Sequence, residues 1–206
     1  MELTTDSSDY LNKSAVGYMV NTLLSEPSRN EIKQLQDTFV AEFGYPVWAT
    51  PVDSLHITLL DWLAPLVDYS GSKDRIFREI KPKYDKALGE ILSNVDPISL
   101  TFGKIIVSQS AIVIVADKKS TQAFNDIRQK FLSKIDLLPN TKQPPNIVHS
   151  TIIRFVDEIP MKKAMSIANS LNCSFIEQVS SFQLVREARL PMLEYSVIKL
   201  YHLGTD

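Results

Sequence analysis

A single cysteine, Cys173, stands in the 206-residue chain, which excludes an intramolecular disulfide framework and any multi-cysteine zinc site and fits a reducing compartment. The six glycines are too dispersed for a dinucleotide-binding fingerprint or a Walker loop. No serine occupies a G-x-S-x-G elbow, and neither H-E-x-x-H nor a paired His/Cys spacing occurs, so no resident metal or cofactor is expected. Basic runs are missing as well. Lys and Arg are scattered and the net charge is −2, which argues against the concentrated positive field that an extended nucleic-acid duplex requires. Apolar runs such as AIVIVA fall far short of the roughly 20 residues that span a bilayer. The polar opening MELTTDSSDYLNKS lacks the basic and apolar segments of a signal peptide. A cytoplasmic monomer without membrane contact is the expectation.

What is present is a globular composition, 44% apolar and 22% charged, enough to bury a sizeable core in one domain or in two small lobes that share one. Residues 1–14 read as a frayed tail and 15–25 as a strand. In 26–44 the apolar residues Ile32, Leu35, Phe39, Val40 and Phe43 recur at helical spacing between Pro27 and Gly44, a start and a stop. After an element containing His56, residues 61–72 read as an irregular loop broken by Pro65 and Gly71. Residues 73–95 read as a helix with a kink or restart at Pro82. Two strands at 97–109 and 111–118, a helix at 120–138 and a proline-rich loop at 139–146 lead to His149. A helix near 160–171 and strands near 176–189 and 194–203 complete an α+β pattern.

The three histidines are the informative residues. His56 stands in SLHITLL, and ninety-three residues later His149 stands in IVHSTII, the same apolar-His-x-Thr-apolar-apolar pattern. A strand beginning near Val16 and a helix precede His56 by 40 residues; a strand beginning near Ala111 and a helix precede His149 by 38. This is one strand-helix-strand unit used twice, consistent with a duplication whose two lobes face each other across a pseudo-twofold. Side chains alternate along a strand, so His56 shares a face with Thr58, and His149 with Thr151, each pair about 7 Å apart at Cα. Regular alternation puts Arg154 on the face opposite His149, outside the candidate site.

An imidazole gives or takes a proton near neutral pH, so two of them can form a base and acid couple. In-line displacement at phosphorus needs that couple, and the threonine hydroxyls can donate to the non-bridging oxygens where charge accumulates. The paired HIT and HST motifs resemble the signatures of the two-histidine (2H) phosphoesterase superfamily, which includes RNA 2′,3′-cyclic phosphodiesterases, so-called 2′,5′-RNA ligases and 2′,5′-phosphodiesterases. The resemblance implies a bilobal α+β fold with antiparallel sheets lining a central cleft, helices packed outside, and metal-independent catalysis. It implies His56 and His149 as acid and base, and Thr58 and Thr151 as phosphate-oxygen donors.

The near-neutral charge favours a nucleotide or short RNA as the substrate, most simply a 2′,3′-cyclic phosphate. Hydrolysis or reversible ligation of a 2′,5′ linkage, a non-catalytic phosphate-binding cleft, and a structural domain with incidental histidines are the rival readings. Beside the motifs, Tyr18 and Trp62 could stack on a base, and Arg186, like Arg189, could pair with a phosphate through its planar guanidinium. Core packing or ordinary ion pairs are the alternatives for each. Asp53, Asp61 and Asp157 read as solvated loop charges, His202 as a surface residue, and 61–72 as a candidate lid.

Overall fold

The computed structural model describes residues 10–204, and four α-helices and nine β-strands lie among them. In chain order the strands are β1 (Ser14–Leu23), β2 (Val47–Ala49), β3 (His56–Leu63), β4 (Ile98–Val107), β5 (Ala111–Ala116), β6 (His149–Phe155), β7 (Phe175–Val179), β8 (Ser181–Arg189) and β9 (Glu194–His202). The helices are α1 (Glu26–Phe43), α2 (Lys73–Leu92), α3 (Gln122–Lys134) and α4 (Met161–Ser170). Two antiparallel sheets result, one in the order β3-β1-β8-β9 and the other β2-β6-β5-β4-β7, which bears out the α+β reading. The stretch read as one strand near 176–189 is two, because the chain leaves one sheet at Ser180 and enters the other. No helix among the described residues is long and apolar enough to cross a membrane.

Helix α1 forms as its spacing predicts: Pro27 lies in its first turn, Ile32, Leu35, Phe39 and Phe43 are buried, and Gly44 ends it with φ of 69° in the left-handed region. Helix α2 does not restart at Pro82. Its apolar stripe, Phe77, Tyr84, Leu88 and Ile91, continues across the proline, and burial of that stripe outweighs one lost backbone donor. Both sheets contribute to one contiguous apolar cluster.

Each strand-helix-strand unit has an antiparallel pair at its centre, β1 with β3 and β5 with β6. The helices exchange partners. Helix α1, which follows β1, packs against β6 and β7, while α3, which follows β5, packs against β3 and α2. Each motif strand is therefore backed by the helix of the other unit.

The first nine residues of the tail expected over 1–14 lie outside the described residues. Residues 10–13 are tied to the body: Asn12 N donates to the Leu190 carbonyl and Leu190 N to that of Lys13, both at 2.9 Å.

Candidate active site

The register of the two motif strands contains the same irregularity at the same place. Asn21 of β1 faces Thr58, but Val20 faces Leu60; Val113 of β5 faces Thr151, but Ile112 faces Ile153. One extra residue, Leu59 in β3 and Ile152 in β6, is accommodated after each threonine, a β-bulge that reverses the alternation beyond it. Leu59 and Leu60 are both buried, as are Ile152 and Ile153, and the next residue returns to the motif's own face.

That residue is Asp61 in one strand and Arg154 in the other. His56, Thr58 and Asp61 from β3, and His149, Thr151 and Arg154 from β6, all line one cavity of about 470 Å³ between the sheets. Arg154, expected on the far face, thus stands beside His149 and Thr151. Asp61, read as a loop charge, is a strand residue of the cavity wall, because β3 runs on to Leu63.

A bulge leaves backbone carbonyls without ladder partners, and buried carbonyls need donors. Here the helix of the opposite unit supplies them. Gln36 of α1, fully buried, donates from Nε2 to the carbonyls of Ile152 (2.7 Å) and Thr50 (2.8 Å). Arg128 of α3, also buried, donates from Nε to Leu59 (3.0 Å) and from Nη2 to Thr58 (2.9 Å). Its Nη1 reaches the carbonyls of Pro145 (2.8 Å) and Ile147 (3.1 Å), where the chain enters β6, and Asn125 Oδ1 (3.2 Å). One guanidinium therefore joins both motif segments, with no salt-bridge partner among the described residues.

His56 is set by the turn before it. Its Nδ1 lies 2.7 Å from the Ser54 carbonyl, and since a carbonyl only accepts, Nδ1 carries the proton and Nε2 is left for the cavity. Ser54 is held in turn by its hydroxyl, which donates to the Met192 carbonyl at 3.0 Å. Burial pushes the His56 pKa down, opposed by the Ser54 hydrogen bond and reinforced by Arg154. Burial, Arg128, His56 and Arg154, in that order, bring His149 down to about 4. Burial and the nearby cations thus favour the neutral form of both imidazoles in the ligand-free protein.

The remaining wall is mixed. The Arg154 guanidinium lies 4.4 Å from the centre of the Tyr10 ring, and it makes no salt bridge among the described residues, although Glu187 also lines the cavity. The loop at 64–67 forms an apolar side. It is held by Tyr69, whose hydroxyl accepts from Ala64 N (3.0 Å) and bonds Thr141 Oγ1 (2.8 Å), and by Lys73, which donates to the Pro65 carbonyl. Gly17 lets this loop approach, since a Cβ there would come within 3.0 Å of Pro65 Cβ. Of the segment read as a candidate lid, Trp62 and Leu63 are buried in β3, residues 64–67 line the cavity, and Leu66, Asp68 and 70–72 are exposed.

Three expectations are corrected. Tyr18 is buried outside the cavity, stacked on Phe77 at 3.8 Å, with its hydroxyl donating to Asp74. Trp62 is wholly buried, edge-on to Tyr84 at 5.3 Å. Arg186 grips Asp74 with two bonds, at 2.9 and 3.1 Å, and that pairing together with the Tyr18 hydroxyl holds the Asp74 carboxyl down to about 2. All three fall on the side of the sheet covered by α2. Arg189 pairs with Glu194 at 3.1 Å, the ordinary alternative.

No protein-family profile matches this sequence, and no curated protein matches it. Solved structures share the architecture. The protein TT0787 of Thermus thermophilus superimposes with a TM-score of 0.63 at 15% identity, over 92% of this chain and 99% of that one. A protein solved as a phosphoesterase gives 0.58 at 15% identity, over 92% and 99%. Escherichia coli LigT complexed with ATP gives 0.57 at 13% identity, over 94% and 100%. LigT has also been solved with phosphate and with 3′-AMP. The architecture of this chain is the LigT-like fold.

Proposed function

We propose that this protein is a two-histidine phosphodiesterase that opens the 2′,3′-cyclic phosphate of a nucleotide or short RNA. The observation that carries this reading is the convergence of two His-x-Thr pairs, one from each sheet, on a single cavity whose β6 wall also carries Arg154, a guanidinium with no salt-bridge partner among the described residues. A cavity of about 470 Å³ falls within the range that holds a small ligand.

In this mechanism Arg154 and the Thr58 and Thr151 hydroxyls hold the non-bridging phosphate oxygens. One imidazole takes a proton from water as the water oxygen bonds to phosphorus. The other gives a proton to the departing ribose oxygen as its bond to phosphorus breaks, leaving a phosphomonoester and a free hydroxyl. The pair then exchanges its protons with solvent. These residues supply acid, base and charge stabilisation without a metal, and among the described residues no three His, Cys, Asp or Glu side chains converge as a metal site.

The test is turnover of a panel of 2′,3′-cyclic mononucleotides and 2′,5′- and 3′,5′-linked dinucleotides with EDTA present. Opening of the cyclic phosphates in EDTA is expected. Cleavage confined to the 2′,5′ dinucleotides would replace the substrate, and loss of activity in EDTA would sink the metal-free mechanism.

The electrostatics add a pH prediction. Productive enzyme has one histidine protonated and one neutral, and kcat/KM follows the free-enzyme pKa values. Because burial and nearby Arg154 lower both imidazoles, with Arg128 lowering His149 as well, kcat/KM should rise as pH falls from 8 and peak on the acid side of 6.5. Arg154→Gln should move the alkaline limb upward by removing a cation that depresses both. A maximum above pH 7.5 in the unaltered protein would contradict the assignment.

A further inference from the structure

The two motif strands place a cation on one side of the cavity and an anion on the other. Arg154 and Asp61 occupy the same position past the same bulge, yet one suits a phosphate and the other repels it. A cavity meant only for phosphodiesters gains nothing from a carboxylate there. Asp61 has no hydrogen-bond or salt-bridge partner among the described residues, although Arg128 lies near enough to influence it.

A second carboxyl strengthens the point. Glu187 of β8 is 1% exposed, and its Oε1 accepts from Met192 N. Its Oε2 is buried and has no partner among the described residues, and Glu187 is one of the residues that line the same cavity. A buried unpaired carboxylate oxygen is costly, so its persistence at a cavity wall points to a donor that arrives with the ligand. Met19 of β1, which faces Asp61 on β3, lines the cavity together with both acids, and Glu187 faces Gly17, two residues before Met19. Pro65, Leu66 and Val67 give the same cavity an apolar wall, a surface against which a flat group can pack.

From this we infer that Asp61 and Glu187 form a base-recognition subsite for the hydrogen-bond-donor edge of the substrate's nucleobase, with guanine as the preferred base. Guanine alone among the four common bases presents two adjacent donors, N1–H and the N2 amino group, that a carboxylate accepts side by side. Adenine and cytosine offer an amino group beside a ring acceptor, and uracil a single N–H between two carbonyls, which face a carboxylate with repulsion. The inference rests on the phosphate lying at Arg154 and the histidine pair, and it adds which nucleotide that phosphate belongs to.

Two measurements on the intact protein test it at pH 8. The first is calorimetric binding of 3′-GMP, 3′-AMP, 3′-CMP and 3′-UMP; the second is kcat/KM on the four 2′,3′-cyclic nucleotides. Guanylate should exceed uridylate by about 10- to 100-fold in both, the range for one paired donor-acceptor recognition. Glu187→Gln and Asp61→Asn should each cut that ratio by about tenfold or more, with melting temperatures showing that they fold. Both keep side-chain size, and the glutamine carbonyl still accepts from Met192 N.

Equal affinity for all four bases, or an unchanged ratio in both variants, would overturn the subsite. Cyclic nucleotides opened at equal rates would leave the proposed reaction standing while removing the base preference. Selective guanylate binding without turnover of any cyclic nucleotide would do the reverse.

Discussion

His56→Ala and His149→Ala should each lower kcat for opening a 2′,3′-cyclic nucleotide by about 10²–10⁴-fold, the usual contribution of a positioned general acid or base. Neither imidazole is a core residue: both are partly exposed on the cavity, and the packing beneath them comes from Leu55, Ile57, Val148 and Ile152. The variants should therefore stay folded, with melting temperatures close to that of the unaltered chain. The double variant should be little worse than the poorer single one, since base and acid act in one displacement and removing either already disables it. Thr58→Val and Thr151→Val offer a graded comparison, because each deletes one donor to the developing charge and keeps the side-chain shape. A single histidine variant that turns over at the rate of the unaltered protein would remove that residue from the chemistry.

Much of this site was legible in the sequence because strand alternation is simple. It placed His56 with Thr58 and His149 with Thr151, and all four line the cavity. Alternation failed just past each threonine. A bulge is set by pairing with a neighbouring strand, so no single segment declares it. A trace was present all the same: each threonine is followed by two apolar residues, Leu59–Leu60 and Ile152–Ile153, where strict alternation would send the second into the cavity. Reading those doublets as bulges places Asp61 and Arg154 where they stand. Tyr18, Trp62 and Arg186 misled for a different reason. Each joins an apolar body to a polar tip, and the sequence does not say that α2 covers their side of the sheet, with Phe77 on Tyr18 and Asp74 on Arg186.

The supporting residues were readable in hindsight from helical spacing. In α1 the stripe is Ile32, Leu35, Gln36, Phe39; in α3 it is Phe124, Ile127, Arg128, Phe131. Both carry one polar residue at the same step of an otherwise apolar, buried face. A polar side chain in such a place needs partners, and in both helices the partners are the carbonyls of the opposite unit's bulge. The two units share the device and differ in its chemistry, an amide in one and a guanidinium in the other.

Arg128→Met should be the most damaging substitution in the protein outside the histidine pair, and it should act on stability first. The guanidinium is 3% exposed and bonds four backbone carbonyls drawn from both motif segments. Methionine approximates its length but strands these acceptors in an apolar site, and a buried acceptor left without a donor costs about 1–3 kcal/mol. Allowing for water to reach some of them, a loss of about 3–5 kcal/mol is expected, which lowers the melting temperature by roughly 10 °C in a chain of this size. Burial already pulls the arginine down to about 10, so part of that loss is returned by releasing a desolvated charge. Arg128→Lys should recover little, because an ammonium is a point donor and cannot span carbonyls of β3 and of the segment entering β6 as a planar fork does. Gln36→Leu, which strands only the Thr50 carbonyl and takes one of two donors from Ile152, should cost less, about 1–3 kcal/mol. Ile152 also accepts from Thr50 N at 2.9 Å, which softens it further. At a temperature where Arg128→Met remains folded, kcat should still fall, because an unclamped bulge lets Asp61 and the His56–Thr58 face shift relative to β6. Removing the cation should at the same time raise the His149 pKa and carry its limb of the kcat/KM profile toward higher pH. Thermal melts, chemical denaturation and that pH profile separate the two effects; a variant that melts within about 2 °C of the unaltered protein would show that the four carbonyls find other donors.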